Sequence, residues 1–600
     1  MFLRPHRRQR RNGTVEEYWA LVESYRTARG PRQRVVSYLG DLAAEARAGV
    51  AAAAASRADH QLALFGGTLP ERVEIDLRSL RVERTAAFGG VWLGKALLTG
   101  LGLDTFFAEH LPPGREEIPW AVMAQVLILG RFLEPSSELR LAEHIYGRTA
   151  LADVLGVPLA KINDDRLYRA LDALLPHKAA LTDHLRAKGG ELFGFTYDLV
   201  LYDVTSTFFE GQAVKNPSAR RGYSRDQRPD CVQVCIALVV DRSGFPVGYE
   251  VFPGNRHDST TVKTIVRLVE KTYGRAERIW VMDRGMVSEE NLAFLRQSGR
   301  RYIIGTPKAQ LKSVERDLVA EGWETVREGV EVKTCTAPDG STDHFVLCRS
   351  EARREKEQAM HARFEQRIEE GLTKLAASCV KRAWPVGTIE RRVGKLLGAN
   401  TRAAGLFDVR VTERPDQKGA QVSWTRRDGW RDWAMLSEGC YLLRSNIDDL
   451  PPTELWTAYI GLTQAEAAFR IQKSDLHLRP IWHQRLDRVK AHLLVCFLAF
   501  VLWKTLGQLC ARAGLGDEPR RVLNELAQIM LVDVAADTTA GVTIRKRCVA
   551  QPTNLQATLL QHLRFPLPDH LGVTVMPVDV VEKPNEKIKA LIGNGGQSAR

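Results

Sequence analysis

The sequence predicts an α/β fold: a mixed sheet flanked by helices. Three observations carry this. Leu199–Tyr202 and Arg278–Met282 are short apolar runs rich in β-branched and aromatic residues, and read as buried strands. Asp241-Arg242-Ser243-Gly244 is a turn between Gln233–Val240 and Phe245–Val251, which reads as a hairpin. Helical patterns at 259–273 and 288–297 then alternate with the strands at Arg278–Met282 and Tyr302–Gly305. Antiparallel strands followed by βαβ units make a mixed sheet covered by helices.

At 600 residues the chain exceeds one hydrophobic core, so several domains are expected. Residues 1–75 hold a mobile basic arm (1–12), a hairpin with a basic tip at Ala28-Arg29-Gly30-Pro31, and an alanine-rich connector helix at 41–58. Residues 76–192 read as a helical domain, helical throughout from about 88 to 190, with helices at 121–132, 136–146 and 164–175, the last capped by Asn163 or Asp164. Such a run suits a DNA-binding domain or a plain helical bundle. Residues 193–307 form the first part of the α/β core. Residues 308–445 break the pattern with a charged helix (350–379), short strands and the tryptophan-rich 424–433, and read as an α+β insertion. Residues 446–515 resume the core, with helices at 453–476 and 484–513. Residues 516–600 are an appendage ending in the flexible Gly593-Asn594-Gly595-Gly596.

The net charge of +13 and pI of about 9.3 favour a polyanionic partner. Nine cysteines without a Cys-x2-Cys pair exclude a zinc ribbon or finger and point to reduced cysteines in a cytoplasmic protein. Arg4–Arg11 is basic but lacks the apolar stretch of a signal peptide. The most apolar run, Leu493–Trp503, is too short to span a bilayer and reads as a core helix, so no membrane partner is expected.

The chemistry concentrates in carboxylates. The strand at 199–202 runs straight into Asp203, and the strand at 278–282 into Asp283. A carboxylate at that position needs a compensating partner. An aspartate bonding a following loop N–H is the ordinary alternative. Two such strands side by side would converge two carboxylates on one point, a set suited to magnesium. The helix at 453–476 adds Glu466 on a stripe with Tyr459, Leu462, Arg470 and Lys473, while Ile460, Ala467 and Ile471 lie on another face and can pack on the sheet. Taken alone, that stripe is equally a solvated salt-bridge cluster. With the two aspartates, Glu466 completes a site able to hold two magnesium ions, and Arg470 and Lys473 would meet phosphate oxygens. Arg479, Arg485, Arg488 and Lys490 follow as a phosphate-binding face or a solvated helix. Tyr459 can stack on an unpaired base or cap the core. Glu210, Asp258 and Asp198 read as structural, and His257 and His483 as loop-bonding or proton-transferring.

On these residues the chain resembles the DDE transposases of bacterial insertion sequences, in the branch with an inserted domain before the glutamate. That branch carries Tyr-x2-Arg-x3-Glu-x6-Lys; here Tyr459, Glu466 and Lys473 match, the arginine position is Leu462, and Arg470 is the candidate substitute. Tyr202–Thr207 with Phe209-Glu210-Gly211, Pro253–Asp258, Val281–Gly285 and Leu478–His483 are similar too. The resemblance implies an RNase H-like fold with Asp203, Asp283 and Glu466 as catalytic ligands of two Mg2+ ions, with Mn2+ as an alternative. It implies DNA contacts by Tyr459, Arg470, Lys473, Arg479 and His483. The partners would be double-stranded DNA, both the element's terminal inverted repeats and the target, bound by a homodimer. The activity would be metal-dependent cleavage and strand transfer. A nuclease of the same fold without strand transfer, and a DNA-binding relative with a decayed site, are the alternatives.

Overall fold

The computed structural model describes residues 2–9, 15–27, 30–40 and 73–577, except 196, 276, 287, 416–417 and 540–541. The expected connector helix at 41–58 and the tail at 593–596 lie outside the described residues. The chain divides into two compact units, residues 1–170 with 505–600, and residues 171–504.

In the first unit, Val15–Thr27 and Gly30–Gly40 form the expected hairpin. Phe2–Gln9 is not a loose arm: it pairs antiparallel with Val15–Thr27, from Phe2 opposite Val22 to Gln9 opposite Val15. It is an edge strand of a three-stranded sheet. Helices Gly89–Gly100, Leu103–His110 and Trp120–Leu133 follow. The helix Asp164–Leu174 starts at Asn163, whose Oδ1 accepts from the Arg166 N–H at 2.8 Å. The C-terminal appendage is not separate from this region. Its strand Met530–Asp537 pairs with Arg81–Ala87, inside a four-stranded sheet completed by Val542–Val549 and His570–Pro577.

The second unit is built on a nine-stranded sheet. Its strands are β1 (Leu199–Phe208), β2 (Gln233–Asp241), β3 (Pro246–Pro253), β4 (Ile279–Met282), β5 (Arg301–Gly305), β6 (Glu324–Arg327), β7 (Val330–Cys335), β8 (His344–Ser350) and β9 (Cys440–Ser445). The order is β6-β7-β8-β9-β5-β4-β1-β2-β3. β1, β2 and β3 are antiparallel, while β1–β4 and β4–β5 are parallel. Three meandering strands followed by two parallel ones on the first strand's other side make this the RNase H-like sheet. Its central strands are buried on both faces, which is why they read as continuous apolar runs rather than alternating ones. Tyr202, Trp280, Met282 and Tyr302 fill the core with Ile265 and Val266 of the helix Val262–Tyr273.

Residues 308–445 are only partly an excursion. β6, β7, β8 and β9 continue the core sheet, with β9 hydrogen-bonded to β5 from Leu443 opposite Gly305. The rest, 351–437, carries the long charged helix α1 (Glu351–Lys381), the helix Val386–Ala399 and a hairpin of Phe407–Glu413 with Ala420–Arg426. Trp424 and Trp430 pack on a small core around Ile368, Leu372 and Phe407, and Trp433 packs beside Phe345 and Leu347.

The helix expected at 453–476 is broken. α2 (Pro452–Ile460) ends at Gly461, α3 (Thr463–Arg470) restarts, and Ile471–Asp475 is a wider π turn. The break lies where the backbone nears β1: a Cβ at Gly461 would sit 3.4 Å from a Leu201 methyl and 3.0 Å from the Ala458 carbonyl. The buried face is Leu462, Ala465, Ala468 and Phe469, whereas Ile460, Ala467 and Ile471 are only half-buried. The last long helix, α4 (Leu486–Arg512), is long and apolar enough to cross a membrane, yet 83% of its apolar window is buried in protein, as a core helix is.

Candidate active site

Strand register brings the two aspartates together. β1 and β4 are parallel neighbours, paired from Leu199 opposite Ile279 to Tyr202 opposite Met282. The next residue on each is Asp203 and Asp283, so the carboxylates stand on adjacent strands, about 4.8 Å apart at the backbone. β4 ends at Met282, but β1 does not end at its aspartate. It runs on to Phe208, with Asp203 paired to Leu238 of β2. Asp203 is therefore an interior strand residue beside the open end of β4.

α3 lies over β1 and presents Glu466, which is exposed, above its buried alanines. The electrostatics link the three acids. Burial pushes the Asp203 carboxyl up to about 7; its contact with the Val204 N–H at 2.7 Å and the Arg225 charge oppose this, and Asp283 and Glu466 add to it. This is a cluster of like charges held together by the fold. Its donors are all hard oxygens, which fits a magnesium-type ion and not a zinc-type one.

Tyr459 of α2 closes one side. Its ring lies on the backbone of β5, where a Cβ at Gly305 would come within 2.3 Å of the Tyr459 Oη. Burial and the Asp283 charge raise the Tyr459 hydroxyl far above its usual range, so it stays neutral. Asp283, Tyr459, Leu462 and Glu466 line a cleft of about 280 Å³, together with the cations Arg284, Lys308 and Arg353.

Two of the expected cations are turned inward. Lys473 is 10% exposed; its Nζ donates to Thr205 Oγ1 at 2.7 Å and to Asp226 Oδ1 at 2.9 Å. Burial lowers its pKa, against the pull of Asp226. Arg479 bonds the same Asp226 oxygen. Thr205 is two residues past Asp203 and so shares its face of β1. Ile481 continues this contact by pairing with β1, its N–H reaching the Phe208 carbonyl at 2.9 Å. Arg470 is exposed, and the His483 ring lies 5.3 Å from that of His492. Leu462, at the arginine position of the signature, is buried.

The carboxylates read as structural all carry arginine partners: Glu210 with Arg228, Asp198 with Arg242, and Asp258 with Arg225. Sequence reasoning missed Arg225 and Asp226, which sit in an irregular loop with no periodic signal. It also missed Lys308 and Arg353, which come from outside the glutamate segment.

Two family models match the chain. Residues 195–502 match the family model described as Transposase DDE domain, and residues 3–63 match that of the IS1634 family transposase, N-terminal domain. No curated protein sequence matches the chain. Among solved structures, the piggyBac transposase synaptic complex with hairpin DNA is similar at 8% identity and a TM-score of 0.33, covering 76% of this chain and 82% of that one. The Mos1 transposase paired-end complex with the left transposon end is similar at 13% identity and a TM-score of 0.13, covering 32% and 59%. The DDE model spans more than half of the chain, and the sheet, the paired aspartates and the glutamate helix all fall within it: the protein belongs to the DDE transposases of insertion sequences.

Proposed function

We propose that this transposase binds the terminal inverted repeats of its own element, cleaves the DNA there to expose a 3′ hydroxyl, and joins that hydroxyl to target DNA. The observation that supports the reading is the in-register parallel pairing of β1 and β4, which leads into Asp203 and Asp283 on adjacent strands, with α3, the helix of Glu466, packed on β1. The family implies dependence on a divalent metal. Asp203, Asp283 and Glu466 would hold two Mg2+ ions, with Mn2+ as an alternative. When bound, such ions polarise the attacking oxygen and stabilise the leaving one.

The chain's own residues supply binding and orientation. Tyr459, neutral and set on Gly305, walls the cleft and offers a stacking face to a base beside the reacting phosphate. Arg470 is exposed one turn past Glu466 and meets a phosphate further along the strand. Arg479, one-third exposed, retains a side open to DNA, whereas Lys473 acts by tying the loop at Asp226 to β1. His483, packed against His492, supports the loop that presents Arg479. The N-terminal hairpin and helical region read the repeats, and two copies in the cytoplasm pair the two ends. The residues 351–437 lie outside the sheet and are the part we assign as the inserted domain.

The test is cleavage of a labelled duplex carrying the DNA that flanks the coding region. Asp203→Asn, Asp283→Asn and Glu466→Gln should each abolish nicking in Mg2+ while binding persists. Nicking at the wild-type rate by any one of them would remove that residue from the site. A wild type that nicks but never joins ends to a target plasmid would leave a nuclease rather than a transposase.

A further inference from the structure

The cleft lined by Asp283 and Glu466 also carries cations, and these do not come from the glutamate helices. Of the cations on that stripe, Lys473 is tied to Asp226 and Arg470 is absent from the cleft lining, while Leu462 lines it as an apolar residue. The cations that line it are instead Arg284, beside Asp283, Lys308, just after β5, and Arg353, in the first turn of α1.

Arg353 is held in a way that suits an anion. Its guanidinium stacks on the Tyr441 ring, 4.6 Å from the centroid. Tyr441 is itself fixed, its hydroxyl accepting from Trp456 Nε1 at 2.6 Å. Arg353 Nε reaches Glu357 Oε1 at 3.4 Å, and its two Nη groups have no partner among the described residues. Lys308 Nζ meets the other oxygen of Glu357 at 2.6 Å. Two cations thus share one carboxylate, leaving a net positive charge at the wall. A stacked guanidinium with both Nη groups open is a fork matched to two phosphate oxygens.

We propose that Arg353, assisted by Lys308, binds a backbone phosphate of the DNA strand lying across the carboxylates. The proposal rests on the reading of this cleft as the DNA cleavage site. It makes α1 part of the substrate site: the segment outside the sheet supplies a ligand to the strand being cut.

The experiment is a methylphosphonate scan, in which single phosphates of the end duplex are made neutral one at a time and binding is measured by anisotropy in Ca2+. Wild-type protein should show one phosphate near the cleavage position whose neutralisation weakens binding about tenfold. Arg353→Gln should bind the unmodified duplex about tenfold more weakly, lower the salt slope by about one, and be indifferent to neutralising that same phosphate. Arg353→Lys should keep the salt slope and lose only part of the affinity, since charge remains and the fork does not. Additive losses, with Arg353→Gln as sensitive to that phosphate as the wild type, overturn the proposal; so does a scan of the wild-type protein with no sensitive phosphate. Cleavage is read separately in Mg2+. Non-additive binding without any cleavage sinks the functional reading but not the phosphate contact. Cleavage with additive binding sinks the contact alone.

Discussion

Replacing Asp226 tests whether the loop after β1 is locked by a buried ion pair. The Asp226 side chain is 3% exposed, Lys473 is 10% exposed, and Arg479, the second cation, is 32% exposed. Removing one partner of a buried pair leaves the other charge desolvated, which costs about 3–5 kcal/mol. The Arg479 share is screened by water, so the lower end applies to Asp226→Ala. Asp226→Asn keeps an acceptor for Lys473 and should cost roughly 2 kcal/mol. The loss is local, because the pair joins the loop at 225–226 and the segment at 473–481 to β1. The readout is therefore hydrogen exchange at two amides: Arg225, bonded to Ser206 Oγ at 3.1 Å, and Ile481, bonded to the Phe208 carbonyl at 2.9 Å. Exchange at both should quicken roughly thirtyfold in Asp226→Asn and roughly a hundredfold or more in Asp226→Ala, with β8 amides such as Leu347 unchanged. Wild-type rates at Arg225 and Ile481 in Asp226→Ala would refute the argument.

Gly305→Ala places a methyl 2.3 Å from Tyr459 Oη, which should cost about 1–3 kcal/mol and slow DNA cleavage. Adding Tyr459→Phe should restore part of the stability, and a double variant no more stable than Gly305→Ala would show that the clash is elsewhere. Arg470→Ala should lower the salt slope of DNA affinity by about one and leave the melting temperature unchanged, whereas Lys473→Ala should lower the melting temperature; the reverse pattern would put Lys473 on the DNA. Asp343 offers a pH test. Burial pushes its carboxyl up, but hydrogen bonds from Arg296, Arg444 and Tyr302 outweigh this and hold it below its usual value. Its stabilising contribution is complete above the unfolded carboxylate range and is lost as pH falls through the lower folded value, so wild-type melting should drop below about pH 4 by more than that of Asp343→Asn. Equal acid profiles would exclude it.

Much of the candidate site was legible because it depends on local pattern. An apolar run leading into a carboxylate is visible without a fold and singles out Asp203 and Asp283, while Glu466 is a candidate from its helix stripe and the signature spacing. The helix faces were less legible. A single helix over 453–476 would bury Ile460 and Ile471, but the break at Gly461 rotates the second half and buries Leu462, Ala465 and Phe469 instead. Periodicity assumes an unbroken helix, and the break lies where the backbone packs against Leu201, a contact distant in sequence.

The same division holds for the sheet and the charges. The β1–β3 meander and the following βαβ units were written in turn residues and apolar runs. That β6 to β9 extend this sheet, and that Arg81–Ala87 pairs with Met530–Asp537, are matters of long-range pairing. The sequence by itself determined the candidates and their chemistry: three carboxylates, an aromatic and a surplus of cations. Only the tertiary structure decided which cations face the cleft. Lys473 turned inward to Asp226, Leu462 was buried, and Lys308 and Arg353 arrived from distant segments. Composition and spacing determine the charge a segment carries, but a buried acid elsewhere in the chain decides whether that charge is spent inside the fold or offered to DNA.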